Sequence, residues 1–252
     1  MIVISKLSNT KIPFVSGYVF SHIVKIHTSE YYCFVEEDEF KKRFVKVPGQ
    51  ISPDSSLGSL LISYASQGIY NHWVEIGSWN GLGSTLCILD GFKKRLETKP
   101  NLLSFELDPV MFNVASENLK DHPAFSCVTF LNNKLDSENL EFPSEEEIPV
   151  EEKKSAHYML HFEREKTLWN LARGISLPFS PDAIVLDGGE YSGYLDWLSI
   201  DKTNLKLIFL DDTNCYKNKK VVEELDTNSE WNCVKKSSER NGFAVYEKIR
   251  VT

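Results

Sequence analysis

Residues Val74 to Ser84, VEIGSWNGLGS, constrain this chain more than any other stretch. A short apolar run ends in an acid, opens into a loop with glycines at 77, 81 and 83, and runs on into helical periodicity from Ser84 to Leu96. Glycine has no Cβ and takes positive φ readily, so Gly77, Gly81 and Gly83 let the backbone turn tightly and lie close to a ligand. The helix that follows points free N–H groups and a partial positive charge at the same place. Ser78, Trp79 and Ser84 complete the turn, and Trp79 offers a ring that could stack on a ligand or pack inward.

The glycine order separates ligand classes. A dinucleotide site needs G-x-G-x-x-G, whereas this chain has G-x-x-x-G-x-G with Leu86 three positions beyond Gly83, which argues against NAD. The order E-x-G-x-x-x-G-x-G, starting at Glu75, resembles motif I of the class I S-adenosylmethionine-dependent methyltransferases. The resemblance implies that Glu75, Gly77, Ser78, Trp79, Gly81, Gly83 and Ser84 surround the methionine end of that cofactor. It also implies an acid at the end of the second strand for the ribose hydroxyls. The run NLLSFELD supplies Glu106 there, with Asp108 beside it, and Asn133 is the polar candidate near the adenine together with Asn132.

Apolar segments recur along the chain with helical stretches between them. Leu102–Leu107, Cys127–Leu131, Ala183–Asp187 and Leu205–Asp211 read as buried strands, and Pro109 opens a helix over Val110–Lys120. Trp231–Lys235 and Phe243–Lys248, joined by SSERNG, read as a terminal hairpin. The expected fold is α/β: a Rossmann-like, seven-stranded, mostly parallel sheet with an antiparallel last strand, helices on both faces, and an insertion between the third and fourth strands. Residues 1–56 are expected to form an N-terminal cover, and residues 57–252 the main domain, entered by a helix over Leu57–Tyr70. Within it, 137–181 is too long for a simple connection and reads as a lid or an oligomer contact with a helix over Glu151–Ala172.

Strand ends carry a second constellation. The fourth strand closes in LDGGEY and the fifth in LDD, so Asp187, Asp211 and Asp212 come from neighbouring strand ends about 4.8 Å apart. Three carboxylates with waters suit Mg²⁺ or Mn²⁺. The pattern resembles the metal-dependent small-molecule and sugar O-methyltransferases, which implies that these three aspartates hold the ion and that the ion activates an acceptor hydroxyl. A DKTNLK run stands where that family often has Pro-Gly-Gly. Asp187, Lys217 and His161, the last sharing a helix face with His157, are the candidates for catalytic roles, and Glu190 and Tyr191 for the acceptor pocket.

Composition excludes several classes. The 252 residues are 42% hydrophobic and 25% charged, fitting a folded α/β chain, and no apolar run approaches the roughly 20 residues of a membrane span. No signal-peptide core follows Met1, so a cytoplasmic location is expected. Five scattered cysteines without a C-x-x-C pair argue against both disulfides and a zinc knuckle. A net charge of −8 is unsuited to nucleic acid, and Lys41–Arg43 and Lys217–Lys220 are short clusters only. The expected partners are a small-molecule acceptor and a possible second copy of the chain. N-methylation of a small amine or amino-alcohol phosphate is the alternative reaction, and a catalytically silent nucleotide-binding module the alternative from another class.

Overall fold

The computed structural model describes residues 45–137, 139–154 and 158–249, and the backbone of two short antiparallel strands, β1 (Ile23–Lys25) and β2 (Tyr32–Phe34). Most of the expected N-terminal cover, the Lys41–Arg43 cluster and His157 lie outside the described residues. Seven strands make one sheet: β3 (His72–Ile76), β4 (Asn101–Phe105), β5 (Val128–Leu131), β8 (Ala183–Leu186), β9 (Leu207–Asp211), β10 (Trp231–Ser237) and β11 (Phe243–Lys248), in the order β10-β11-β9-β8-β3-β4-β5. Only β11 runs against the rest, pairing antiparallel with both β9 and β10. The short strands β6 (Lys134–Leu135) and β7 (Gly174–Ile175) form a separate parallel pair.

The central strands are apolar throughout because the sheet is covered on both sides. Alternate residues feed opposite cores: Trp73, Ala183, Val185, Leu207 and Phe209 enter one, and Val74, Ile184, Leu186, Ile208 and Leu210 the other. The first core is closed by α1 (Ser56–Ala65) and α2 (Ser84–Phe92), through Leu57, Leu61, Ile88 and Phe92. The second is closed by α5 (Gly193–Ser199) and α6 (Tyr216–Thr227), through Trp197, Val221 and Leu225. Between β4 and β5 the chain passes through α3 (Pro109–Leu119), which starts as the sequence suggests, with proline at its first position and Asp108 accepting from Val110 N at 2.8 Å.

The entry helix ends sooner than the expected Leu57–Tyr70, at Ala65, where Ser66, Gln67 and Gly68 follow. The segment between β5 and β8 leaves the sheet at the end of β5, passes β6, runs through α4 (Tyr158–Leu171) and comes back to pair with β6 at β7. The expected helix from Glu151 begins later, because a 3-10 turn at Glu152–Lys154 comes first and Glu152 is engaged elsewhere. Tyr158 and Phe162 of α4 join Ile148 and Tyr191 in a third apolar cluster with Phe142 and Tyr216 at its edge. Three side chains of this excursion reach the beginnings of three helices. Arg164 pairs with Asp108 at the start of α3, Glu165 accepts from Tyr191 N and Ser192 N at the start of α5, and Glu152 accepts from Tyr216 N at the start of α6. All three helices follow strands that end at the same edge of the sheet, so the excursion lies across that edge.

Arg95 shows how the opposite edge is held. Its guanidinium is buried and donates to Ala65 O at 2.5 Å, Asn71 Oδ1 at 2.7 Å, Thr98 Oγ1 at 2.9 Å and the Tyr70 carbonyl. Arg95→Met should leave the Ala65 carbonyl without a partner and cost about 2–4 kcal/mol. Chemical denaturation should report this as a lower midpoint with an unchanged slope.

Candidate functional site

Strand order reverses direction between β3 and β8, because the chain builds β4 and β5 on one side of β3 and then β8 and β9 on the other. Ligands of open α/β sheets bind beyond the strand ends at such a switch point. The glycine turn leaves β3 there and Asp187 leaves β8 beside it. A Cβ on Gly77 would stand 2.2 Å from Asp187 O, and Gly77 has φ +93°, so both space and backbone require glycine.

Gly81 also has positive φ, but a Cβ there would meet Leu119 Cδ1 at 2.9 Å and Ala115 Cα at 3.1 Å. Its small size serves the packing of α3 against the turn rather than leaving room for a ligand, which corrects the role expected from sequence. Gly83 has φ −113°, so the positive φ expected there is absent; it stands at the N-cap of α2, where no side chain caps the helix. The third positive φ belongs instead to Trp79, at +46°, whose side chain is exposed.

The acids around the turn are held by their neighbours. Glu75 is fully buried; its Oε2 accepts from Thr85 Oγ1 at 2.7 Å and Ser104 Oγ at 2.5 Å, and burial raises its pKa against the pull of Ser104, Ser84 and Thr85. Its other oxygen, Oε1, and the Ser78 hydroxyl are buried without a protein partner. Ser84, at the start of α2, is itself buried. Glu106 accepts from Trp79 N at 2.7 Å and Asp108 N at 2.9 Å, one bond to each oxygen, and burial pushes it up to about 7. Asn132 donates to the Glu106 and Leu107 carbonyls at 2.8 and 3.0 Å, fixing the same strand end.

Two expected cofactor contacts have other duties. One Asp108 oxygen caps α3 and the other pairs with Arg164, so both are taken by the protein. Asn133 Nδ2 donates to Arg173 O at 3.3 Å, which ties the end of β5 to the chain entering β7. His161 lies on the exposed side of α4, away from the buried Tyr158, Phe162 and Trp169, and so outside the acidic cluster.

Asp187, Asp211 and Asp212 do converge: one oxygen of each lies within 4.8 Å of the others. Hard carboxylate donors of this kind suit Mg²⁺ or Mn²⁺, and Asp212 Oδ1 is buried with no hydrogen bond. Cations of the protein, however, are already among them. Lys217 Nζ is 2.7 Å from Asp187 Oδ1 and 3.2 Å from Asp212 Oδ2, and Arg240 Nη2 is 2.6 Å from Asp211 Oδ2. Lys217 is 4% exposed at its side chain; burial alone would lower its pKa, but Asp187, Asp212 and Glu190 outweigh that and raise it. Desolvation raises Asp187 against the pull of Lys217, and desolvation with the charges of Asp187 and Asp212 raises Asp211 to about 6. The ammonium between two of the three intended ligands does not fit a divalent ion at the same place.

Arg240, Arg164, Glu152 and Glu165 went unnoticed in the sequence. Arg240 comes from the hairpin turn, and the pairing of Phe243 with Asp211 brings it to the acids. The other three are ordinary charged residues of the excursion, with no motif to mark them.

No described protein family matches the chain by sequence, and no curated protein sequence matches it. Solved structures do match by fold. An O-methyltransferase from Bacillus cereus in complex with S-adenosylhomocysteine aligns over 85% of this chain and 89% of its own, with 11% identity and a TM-score of 0.51. A methyltransferase from Podospora anserina, also bound to S-adenosylhomocysteine, covers 85% and 87% with 17% identity and a TM-score of 0.50. A methyltransferase from Geobacter sulfurreducens covers 84% and 87% with 10% identity and a TM-score of 0.51. The chain has the fold of the class I S-adenosylmethionine-dependent methyltransferases. Among the described residues, no helix is long and apolar enough to cross a membrane.

Gly77→Ala should drive the β3 and β8 loops apart. A thermal melt should fall by several degrees, as expected for about 1–3 kcal/mol of overpacking and backbone strain, and an unchanged melt would show that the close approach to Asp187 is not tight.

Proposed function

We propose that the chain is an S-adenosylmethionine-dependent methyltransferase that transfers a methyl group to a hydroxyl of a sugar or another small polar metabolite. What carries this reading is the meeting, at one switch point, of the glycine turn, the orphaned Glu75 Oε1 and Ser78 hydroxyl, and the half-satisfied Glu106. Buried polar atoms without partners are costly, and a polar ligand at the turn relieves that cost. The fold shared with methyltransferases solved with S-adenosylhomocysteine supports the reading, and the description of one of them as an O-methyltransferase favours oxygen over nitrogen as the acceptor atom.

In this proposal the turn and the uncapped start of α2 hold the methionine end of the cofactor. Glu106 accepts from the ribose hydroxyls with the lone pairs that Trp79 and Asp108 leave free. S-adenosylmethionine, when bound, supplies a sulfonium methyl that an oxygen nucleophile can displace in line. The protein must then place the acceptor hydroxyl and take its proton. Asp187 is the best placed of the three aspartates for that proton: its side chain is 22% exposed, against 6% for Asp211 and 10% for Asp212. Lys217 holds Asp187 in position and is itself committed as a cation. The aromatic cluster of Tyr158, Phe162, Tyr191 and Tyr216 adjoins this side, since Tyr191 follows Glu190 and Tyr216 precedes Lys217 in the chain.

Calorimetric titration with S-adenosylhomocysteine tests the reading. Micromolar binding is expected, weakened about tenfold or more by Glu106→Gln, since two charge-assisted hydrogen bonds are at stake. Glu106 accepts hydroxyls as a carboxylate, and with its pKa pushed up to about 7 it must shed a proton to do so at lower pH. Affinity should therefore rise between pH 6 and pH 8 by up to about tenfold and level off above, with the Gln variant flat. No binding at either pH would withdraw the reading.

A further inference from the structure

Lys217 is not a surface lysine that happens to reach an acid. It lies in the first turn of α6, its side chain is almost wholly buried, and its ammonium bridges carboxylates from two different strand ends. The fold makes room for it. A Cβ on Gly193, the first residue of α5, would stand 3.2 Å from Lys217 Cγ and 2.5 Å from Lys217 O, so the stem is closely bounded by the neighbouring helix. The next residue, Asn218, donates to Leu186 O at 3.0 Å and Asp211 O at 2.6 Å and thereby pins the start of α6 to the ends of β8 and β9. Arg240 adds a second cation on the far side of Asp211, 3.9 Å from Asp212 Oδ1.

The charges then nearly balance. Within the triad, three carboxylates face one ammonium and one guanidinium, which leaves a single excess negative charge where a bare triad would carry three, and Glu190 adds one further acid near Lys217. A divalent ion brought into this space would meet the Lys217 ammonium at short range, and cation repulsion there is far stronger than in water. We infer that Lys217 is the resident cation of this site, standing where the acidic triad would otherwise need a divalent metal, and that the protein binds its acceptor without one. This inference rests on the methyltransferase reading for its consequence, not for the occupancy of the site. An ammonium has three donors, of which Asp187 and Asp212 take two, leaving one for an acceptor oxygen. The acceptor is thus held through one oxygen and need not carry the adjacent pair that chelation of a metal demands.

Mn²⁺ alone is the probe, titrated by calorimetry into chelator-treated protein. The wild type should show no stoichiometric binding below millimolar concentration, whereas Lys217→Ala should open the position and bind one Mn²⁺ at least about tenfold more tightly. Since Lys217→Ala leaves the carboxylates uncompensated, its thermal melt should lie below that of the wild type and recover by several degrees on adding Mn²⁺, with no such shift in the wild type. Lys217→Gln, which removes the charge but keeps a shorter polar side chain, provides the same readout if the alanine variant does not fold. One Mn²⁺ bound to the wild type at micromolar concentration would overturn the inference. So would a Lys217 variant that folds and binds the ion no better than the wild type. S-adenosylhomocysteine titrated in parallel keeps the two readings apart, because failure of that ligand to bind counts against the methyltransferase and leaves the Mn²⁺ result standing.

Discussion

Everything at this site depends on how closely β3 and β8 can leave the sheet side by side. The two strands pair in parallel from Trp73 and Ala183 to Ile76 and Leu186, and the chain beyond them then separates to opposite sides of the sheet. Gly77 lets the first loop pass within contact of the Asp187 carbonyl. Any side chain at that position would wedge the strand ends apart and separate the glycine turn from the acidic residues beside it.

Polar groups are placed around this contact at a cost that the surrounding structure offsets. Glu75 is kept in the core by Thr85 and Ser104, and Glu106 by two backbone donors, so each acid is oriented before any ligand arrives. Preorganisation of this kind lowers what a ligand must spend on ordering the site. The opposite face of the crevice uses charge instead of neutral donors, with Lys217 and Arg240 interleaved among three aspartates.

The fold was legible because its signals are local. Alternation of apolar segments and helices gave the parallel sheet, the glycine turn gave the first crossover, and Pro109 gave the start of α3. The three aspartates were legible as a group because consecutive parallel strands end at one edge. Their cations were not, since Lys217 was seen as a residue near Asp212 but its reach to Asp187 depends on α6 lying against β8. Arg240 became a neighbour of Asp211 only through the antiparallel register of β11 with β9. Asp108 was misread for a similar reason: an acid after a strand looks the same whether it serves a ligand or caps the next helix, and only the Val110 N–H and Arg164 decide it. Gly81 was misread because sequence spacing cannot say whether missing side-chain volume is filled by a ligand or by another helix.

The excursion is bonded to the helices that it crosses. Ser192 and Cys215 stand at the N-caps of α5 and α6 without capping either helix through their side chains; Glu165 of the excursion accepts from Tyr191 N and Ser192 N, at and just before the first cap, and Glu152 accepts from Tyr216 N in the first turn of α6. Lifting the excursion would therefore loosen the entry to α5 and remove one bond from the first turn of α6, while Asn218 keeps that turn pinned to the ends of β8 and β9. The excursion thus belongs to the folding unit it covers.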